Sequence, residues 1–200
     1  MIAILNYDAG NLRSVEKAFQ FLGQPVAITN DPKTILEATR VVLPGVGAFR
    51  DAMDKLKASG LIPVIHEVIN KKTPFLGICL GMQLLYDYSE EGDAEGLGIL
   101  SGTVRRFPAD SGLKIPQIGW NRLDVKRPSR LLSGCEGSPY VYFVHSYYVD
   151  AADKNTVTAQ VTYGACADVL VETENIFLTQ FHPEKSGHTG LTILHNFAEV

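Results

Sequence analysis

The segment that decides the fold is TPFLGICLGMQLLYD, residues 73–87, in which an apolar run leads to one cysteine between two glycines. The stretch PFLGI has the composition of a buried strand, and the residues after Cys79 favour a helix that begins at Leu80. Gly77 and Gly81 suit a tight strand-to-helix turn, because neighbouring backbones approach too closely there for a β-carbon. The pattern G-x-C-x-G is the thiol counterpart of the nucleophile elbow. We therefore predict that Cys79 is a catalytic nucleophile, although most free cysteines are small buried hydrophobes.

The chain around this segment alternates between strand-like and helix-like runs. IAIL, PVAIT and RVVLPG have the composition of short buried strands, and NLRSVEKAFQFLG and DAMDKLKASGLIPVIHEVINKK have helical spacing. This alternation indicates parallel strands covered by helices on both faces. After Tyr88 the chain consists mostly of short strands, among which antiparallel pairing is expected, and it closes with an amphipathic helix in GHTGLTILHNFAEV. These strands are TVRRF, NRLDV, YVYFVHSYYV, TVTAQVTY, DVLVET and IFLTQF.

The sequence thus predicts an α/β fold of the flavodoxin-like kind. We expect a three-layer sandwich whose central sheet is mostly parallel and gains antiparallel strands in the C-terminal half. A length of 200 residues with 46% apolar content fits one domain over residues 1–200.

Composition argues against several classes of partner. The net charge of −4 and the isoelectric point near 5.7 give no basic surface for nucleic acid. No stretch approaches the roughly 20 apolar residues of a membrane helix, and MIAILNYDAGN has no basic region typical of a signal peptide. The three cysteines are odd in number and far apart, which favours neither a disulfide framework nor a Cys-x-x-Cys site. We expect a cytoplasmic protein without metal or cofactor.

His182 is the candidate base for the Cys79 thiol. It ends an apolar strand in TQFHPEKSG, and Glu184 follows two residues later. Residues i and i+2 of an extended chain project to the same side, so Glu184 is placed to hold one imidazole nitrogen while the other faces the thiol. H-P-E alone fits a plain strand-end turn equally well, but with an elbow cysteine it predicts a triad. His145 is a second candidate site residue, for which a hydrogen-bonded strand histidine is an equal alternative.

The segment VVLPGVGAF is a third candidate part of the site, and its glycine-rich loop also follows a strand. Glycine permits either orientation of a peptide, so Gly45 and Gly47 allow this loop to turn a backbone N–H toward a substrate carbonyl. That donor would complete an oxyanion hole with the Leu80 N–H. A phosphate-binding loop is an alternative interpretation of this segment, but the G-K-[ST] sequence typical of such loops does not follow it. A plain strand-to-loop turn is the other alternative.

Two motifs, GICLGMQLL and QFHPEKSG, resemble those of class I, triad-type glutamine amidotransferases. NYDAGNLRSV, VLPGVGAF, PQIGWN and YFVHSYY are similar, within that class, to the glutaminase subunits of imidazole glycerol phosphate synthase, and the motifs span residues 6–197. Gln117 departs from the family pattern, which favours histidine there. The departure is expected to affect the face toward a partner and to leave the triad untouched.

The resemblance implies hydrolysis of glutamine to glutamate and ammonia without a cofactor. It also implies a heterodimer with a (β/α)8-barrel cyclase subunit, which uses the ammonia to make imidazole glycerol phosphate and the aminoimidazole carboxamide ribonucleotide in histidine biosynthesis. The lone subunit would be a poor glutaminase until the barrel binds its ribonucleotide. By motif position, the resemblance assigns catalysis to Cys79, His182 and Glu184, the oxyanion hole to Val46 and Leu80, glutamine binding to Gly45, Gly47, Gln83, Ser146 and Tyr147, and the partner interface to Asn11, Trp120, Tyr142 and Lys185.

Three other functions fit parts of the same pattern. One is the glutaminase partner of another biosynthetic amidotransferase, and a second is a cysteine peptidase or esterase on a similar sheet. The third is a catalytically silent binding module that keeps the fold, against which the intact trio of cysteine, histidine and glutamate argues.

Overall fold

The computed structural model describes residues 1–135, 137 and 139–200. Its α-helices are α1 (Leu12–Phe21), α2 (Pro32–Leu36), α3 (Phe49–Ala58), α4 (Ile62–Asn70), α5 (Leu80–Gln83) and α6 (Gly187–Glu199). Its strands are β1 (Ile2–Leu5), β2 (Val26–Thr29), β3 (Arg40–Gly45), β4 (Phe75–Cys79), β5 (Tyr86–Ser89), β6 (Ala94–Glu95), β7 (Leu100–Arg106), β8 (Gln117–Arg122), β9 (Asp124–Val125), β10 (Tyr140–His145), β11 (Tyr147–Ala151), β12 (Val157–Thr162), β13 (Cys166–Glu172) and β14 (Ile176–Thr179).

The central sheet is parallel in its first half and mostly antiparallel beyond it. Its parallel strands lie in the order β2, β1, β3, β4, β14. The sheet then continues through β13, β11 and β7 by antiparallel pairing. Strands β8 and β10 form a separate antiparallel ribbon. The predicted mixed sheet is therefore confirmed.

Apolar side chains cover both faces of this sheet. Along β1, Ile2 and Ile4 join a cluster that contains Phe19 of α1 and Phe197 of α6. Ala3 and Leu5 alternate with them and join a second cluster, which includes residues of α3 and α4. This period of two places one helical layer on each side of the strands. The three-layer arrangement is thus the one expected.

The run YVYFVHSYYV was predicted to be one strand, which is wrong. It forms two strands that part at Ser146, because β10 pairs with β8 whereas β11 pairs with β7. Neither glycine nor proline marks the break, so residue propensity does not reveal it. Tertiary hydrogen bonds hold it instead, since Phe107 N donates to Ser146 O over 3.1 Å.

The helix expected after Cys79 begins at Leu80 but lasts only four residues. The carbonyls of Leu84 and Leu85 then accept hydrogen bonds from Leu97 N at 2.8 Å and Ile99 N at 2.9 Å. These bonds take the acceptors that a longer helix would need, and the chain enters β5. No helix in the described ranges is both long and apolar enough to cross a membrane.

Candidate active site

The three predicted site loops follow neighbouring parallel strands. Gly45 at the end of β3 pairs with Cys79 at the end of β4, and Ile78 of β4 pairs with Thr179 at the end of β14. Since carboxyl ends of parallel strands share one edge of a sheet, the loops that carry Val46, Cys79 and His182 converge there.

Cys79 occupies a strained backbone conformation at this edge. Its φ of 56° and ψ of −110° lie outside the regions that a residue with a β-carbon prefers. Such a conformation persists only where the surroundings fix it. Here a β-carbon on Gly81 would lie 1.9 Å from Leu43 O, and one on Gly77 would lie 2.7 Å from Leu178 Cδ2. The close approach predicted from the two glycines is therefore confirmed.

His182 and Glu184 form a buried hydrogen-bonded pair. The distance from Nδ1 of His182 to Oε1 of Glu184 is 2.8 Å, and both side chains are almost fully buried. The pairing was predicted, but the extended geometry offered for it holds only at His182. Residues Pro183–Lys185 form a single turn of 3-10 helix, which bends the chain so that the carboxylate returns to the ring.

The environment of His182 favours its charged form. Burial alone would lower the pKa of the imidazole, but the hydrogen-bonding and charge effects of Cys79, and then of Glu184, outweigh burial and raise that pKa to about 10. Within the described residues, His182 Nε2 is buried without a hydrogen bond of good geometry. The predicted nucleophile and base are thus neighbours whose side chains are not aligned, as is common before a substrate binds.

The variant Glu184→Gln is expected to shift the pH dependence of activity. Its amide oxygen can still accept from His182 Nδ1, but the negative charge that helps to raise the pKa of His182 is gone. The imidazolium is then lost at lower pH, so the basic limb of the kcat/KM profile moves down by about one to two pH units. Turnover measured from pH 6 to 10 tests this, with Glu184→Leu as the variant that also loses the acceptor. An unmoved basic limb would show that Glu184 only orients the ring.

A cavity of about 410 Å³ opens beside the Cys79 sulfur. Most residues predicted to contact glutamine or its reacting amide line it: Val46, Gly47, Cys79, Leu80, Gln83, Ser146, Tyr147 and His182. Gly45 does not line it, because Gly45 packs against the elbow, where an added β-carbon would lie 2.7 Å from Gly81 N. Glu91, Pro116, Val144 and His145 complete the lining.

The Tyr147 carbonyl fixes two polar side chains of the cavity. Gln83 Nε2 lies 3.0 Å from it and His145 Nδ1 lies 2.8 Å from it. Because a carbonyl oxygen only accepts, both nitrogens carry the hydrogens. Gln83 Nε2 also donates to Gln180 Oε1 over 2.9 Å. This orientation leaves Gln83 Oε1 as the acceptor for a ligand.

Glu91 is a site residue that the sequence analysis missed. Its Oε2 accepts a hydrogen bond from Phe49 N over 2.9 Å, and its side chain borders the cavity. Burial raises the pKa of this carboxyl, with smaller effects from the Phe49 N–H, which lowers it, and from Asp51, which raises it. In the sequence, Glu91 is one of several acids in a polar, glycine-rich stretch. Only the fold distinguishes it from its neighbours.

His145 matches both alternatives left open by the sequence. It is a hydrogen-bonded strand histidine and it also lines the cavity. Burial is the largest effect on its pKa and lowers it to about 4, against the hydrogen bond to Tyr147. The imidazole is therefore neutral at neutral pH.

Gln117 does not lie on an exposed face, so the expectation placing it toward a partner is wrong. It is 2% exposed, and its side-chain amide lies 3.0 Å from His145 Nε2. The reason is the period of β8, along which Ile118 and Trp120 point outward and Gln117 points inward.

Tyr7 fixes the start of the glycine loop. Its buried hydroxyl donates to Pro44 O over 2.9 Å. Burial, followed by the nearby Cys79, raises the pKa of this phenol far above its usual range, so it stays neutral. The Pro44 carbonyl is thus held, while Gly47 beyond it has a φ of 103°, which favours glycine.

The residues predicted for a partner interface lie beside the site. Trp120 is 54% exposed and therefore does not fill the core. Its ring packs edge-on against that of Tyr142, with 6.2 Å between the ring centroids. Lys185 is exposed, and Asn11 borders a small void together with His182. Ile118 and Tyr140 on the same ribbon are also more than half exposed.

The part of the chain that the structure describes contains no group of three or more His, Cys, Asp and Glu side chains placed to hold a metal ion. The other two cysteines lie outside the cavity lining, and of these Cys166 is exposed.

Comparison with known proteins gives one consistent result. The family model "Glutamine amidotransferase class-I" matches residues 3–200. The chain is 49% identical over 202 residues to the imidazole glycerol phosphate synthase subunit HisH of Thermosynechococcus vestitus, which covers 100% of this chain and 96% of that protein. It is 47% identical over 206 residues to the same-named subunit of Syntrophotalea carbinolica, with 100% of both chains covered.

Solved structures share the fold at lower identity. A crystal structure of a glutamine amidotransferase has a TM-score of 0.76 at 18% identity, covering 98% of each chain. A second, PurLQS from Thermotoga maritima, has a TM-score of 0.77 at 18% identity, covering 99% of this chain and 97% of that one. These similarities support the architecture described above.

Proposed function

Since the chain belongs to the class-I glutamine amidotransferases, we propose that Cys79, His182 and Glu184 form the triad of a glutaminase that supplies ammonia to a separate synthase subunit. As a subunit of the HisH type, the chain hydrolyses glutamine to glutamate and ammonia for histidine biosynthesis. The main support for the triad is the hydrogen-bonded His182–Glu184 pair, which lies beside a cysteine with a strained backbone conformation. His182 and Cys79 line the same cavity. We propose that residues 1–200 act as one glutaminase domain.

The reaction follows from these groups. The Cys79 thiolate attacks the side-chain amide carbon, and the resulting oxyanion accepts hydrogen bonds from the N–H groups of Leu80 and Val46. Each such donor contributes about 2.7 to 4 kcal/mol to the transition state. The His182 imidazolium protonates the leaving nitrogen, which departs as ammonia. Neutral His182 then takes a proton from a water molecule that attacks the thioester, and glutamate leaves as the thiolate is restored.

The cavity offers partners for the amino-acid end of glutamine. The carboxylate of Glu91 and the Oε1 atom of Gln83 are acceptors suited to the α-ammonium group. The backbone of Ser146 and Tyr147 and the N–H of Gly47 are placed to hold the α-carboxylate. A volume of about 410 Å³ lies within the usual range for small-molecule sites.

The product requires a covered exit toward a partner. Ammonia in neutral water is mostly protonated and is then no longer a nucleophile. The exposed Ile118, Trp120 and Tyr140 form an apolar surface on the β8–β10 ribbon beside the site, and exposed aromatic residues of this kind anchor interfaces. We propose that a (β/α)8-barrel cyclase docks there in a cytoplasmic heterodimer, with Asn11, Trp120, Tyr142 and Lys185 at the contact.

Mixing the purified chain with a barrel cyclase and its ribonucleotide tests this function. We expect slow glutamate release by the chain alone and faster release in the complex, because the loop after Pro44 must present its N–H to complete the oxyanion hole. Full turnover by the lone chain would contradict this activation. No glutamate in any mixture would contradict the glutaminase function itself.

The same preparations separate the other candidate functions. A barrel that binds tightly and stimulates release excludes a different biosynthetic partner. Labelling of Cys79 by a glutamine-like electrophile, while peptides and esters stay intact, excludes a peptidase or esterase. Both outcomes are expected from the 47% to 49% identity to the relatives above.

A further inference from the structure

A chain of buried side-chain amides leads to the Cys79 sulfur. Gln83 Nε2 donates to Gln180 Oε1 over 2.9 Å, and Gln180 Nε2 lies 3.7 Å from Cys79 Sγ. Gln180 has no exposed surface and Gln83 has 4%. None of these contacts was expected from the sequence, in which Gln180 is one polar residue within an apolar strand end.

The direction of this chain is fixed by chemistry. The Tyr147 carbonyl only accepts, so Gln83 must turn its NH2 group toward it. The same NH2 group then meets Gln180, which must present its oxygen. The NH2 group of Gln180 is left to face the sulfur, and the amide cannot flip without breaking the bond to Gln83. One backbone carbonyl therefore orients an N–H donor toward Cys79.

The backbone of Gln180 is also held in place. It follows Thr179, the last residue of β14, and its own N–H donates to Val169 O over 2.9 Å. The side chain thus starts from a fixed point in the sheet, next to the strand that carries Cys79.

Because helix α5 is short, a thiolate at Cys79 needs a hydrogen-bond donor from elsewhere in the fold. A thiolate at the start of a long helix gains from the aligned peptide dipoles, but α5 spans only Leu80–Gln83. A buried anion needs hydrogen bonds from fixed donors, and a bond to a charged group is about twice as strong as one between neutral groups. Gln180 follows β14, which pairs with the strand of Cys79, and its Nε2 is a fixed N–H group within 3.7 Å of the sulfur.

We propose that Gln180 donates a hydrogen bond to the Cys79 thiolate and that Gln83, held by Tyr147, keeps this donor aimed at the sulfur. This inference rests on the proposed role of Cys79 as nucleophile. It gives Gln83 a second task, because the same residue that contacts the substrate would also orient the donor to the reacting atom. Ligand binding at Gln83 and thiolate stability would then be coupled.

Other titratable side chains near the sulfur also affect the titration of Cys79. From the elements that surround the cavity these are His182 and Glu184 after β14, Tyr7 after β1, His145 on β10 and Glu91 after β5. Variants at Gln180 leave all of them unchanged in sequence, so a shift in thiol reactivity reports the lost donor.

The test measures how fast iodoacetamide alkylates Cys79 between pH 5 and 9 in the full chain, with peptide mass spectrometry to resolve Cys79 from the other cysteines. We expect Gln180→Met to raise the midpoint pH of alkylation by about one unit, which slows labelling about tenfold below the midpoint. Gln180→Glu keeps the acceptor for Gln83 but places an anion beside the sulfur, so its midpoint rises further. Thr179→Val is the matched control, since it changes the preceding buried residue, whose hydroxyl makes no hydrogen bond to Cys79 within the described residues, and its midpoint stays at the wild-type value.

An unchanged midpoint in Gln180→Met would overturn the proposal. If the Gln180 variants fail to fold, the unmodified chain still decides, because the side-chain amide signal of Gln180 must move in nuclear magnetic resonance spectra as Cys79 titrates or is alkylated. A static signal would overturn the proposal too. If the wild-type complex releases glutamate but the alkylation midpoint of Gln180→Met is unchanged, only the proposed donor is refuted. If that midpoint shifts but the wild-type complex releases no glutamate, only the glutaminase function is refuted.

Discussion

Replacing Cys79 by serine is expected to lower glutamate release by the complex with its cyclase about 10³-fold or more. A serine hydroxyl is a far weaker acid than a thiol, so it stays protonated at neutral pH and the anionic nucleophile that attacks the amide carbon is lost. The measurement is the steady-state rate of glutamate formation at saturating glutamine.

Cys135→Ser is the matched control for this prediction. Cys135 is half-buried and lies outside the cavity lining, so its variant should keep the wild-type rate. Both variants should still bind the cyclase, because neither position belongs to the proposed interface. A Cys79→Ser chain that keeps its activity would rule out the triad and revive the silent-module alternative.

Replacing Gly81 by alanine is expected to remove activity through geometry alone. The added β-carbon would lie 1.9 Å from the backbone oxygen of Leu43, which no side-chain movement can relieve. The elbow must shift, and a displacement of about 1 Å at a reacting group costs about 10²-fold in rate. Overpacking of this kind also lowers the free energy of unfolding by about 1 to 3 kcal/mol. Glutamate release and thermal unfolding measure the two effects.

Gly60→Ala separates misplacement from a general loss of stability. Gly60 has a φ of 72° and open space around its Cα, so alanine there strains the backbone without a collision. The variant should lose about 1 kcal/mol of stability and keep its rate. Equal activity in the two variants would show that the elbow tolerates a β-carbon.

Local patterns in the sequence were sufficient for much of the site. The elbow was predictable because glycine spacing beside a cysteine reflects close backbone contacts, which Gly77 and Gly81 make. The pairing of His182 with Glu184 was predictable from their separation of two residues, although the turn that achieves it was not. The alternation of strands and helices gave the layered α/β architecture for the same reason.

Features that depend on the order of strands in the sheet were not predictable. Glu91 reaches the cavity, Gln180 reaches Cys79 and Gln117 reaches His145, because segments distant in sequence are neighbours in space. A single sequence carries no local signal for these contacts. The division of residues 140–149 between two sheets has the same origin. The shortness of α5 also follows from tertiary contacts, because backbone N–H groups of a later loop bind the carbonyls of Leu84 and Leu85, which directly follow the helix.

The position of β14 between β4 and β13 has a consequence for how this protein is made. During translation β4, which ends at Cys79, is synthesised long before β14, which precedes His182. A nascent chain that has not reached β14 therefore lacks the strand that lies between β4 and β13 in the folded sheet. With the proposed triad, the chain therefore cannot release ammonia until β14 has entered the sheet beside β4 and His182 has followed it, which links the onset of turnover to the synthesis of this later segment.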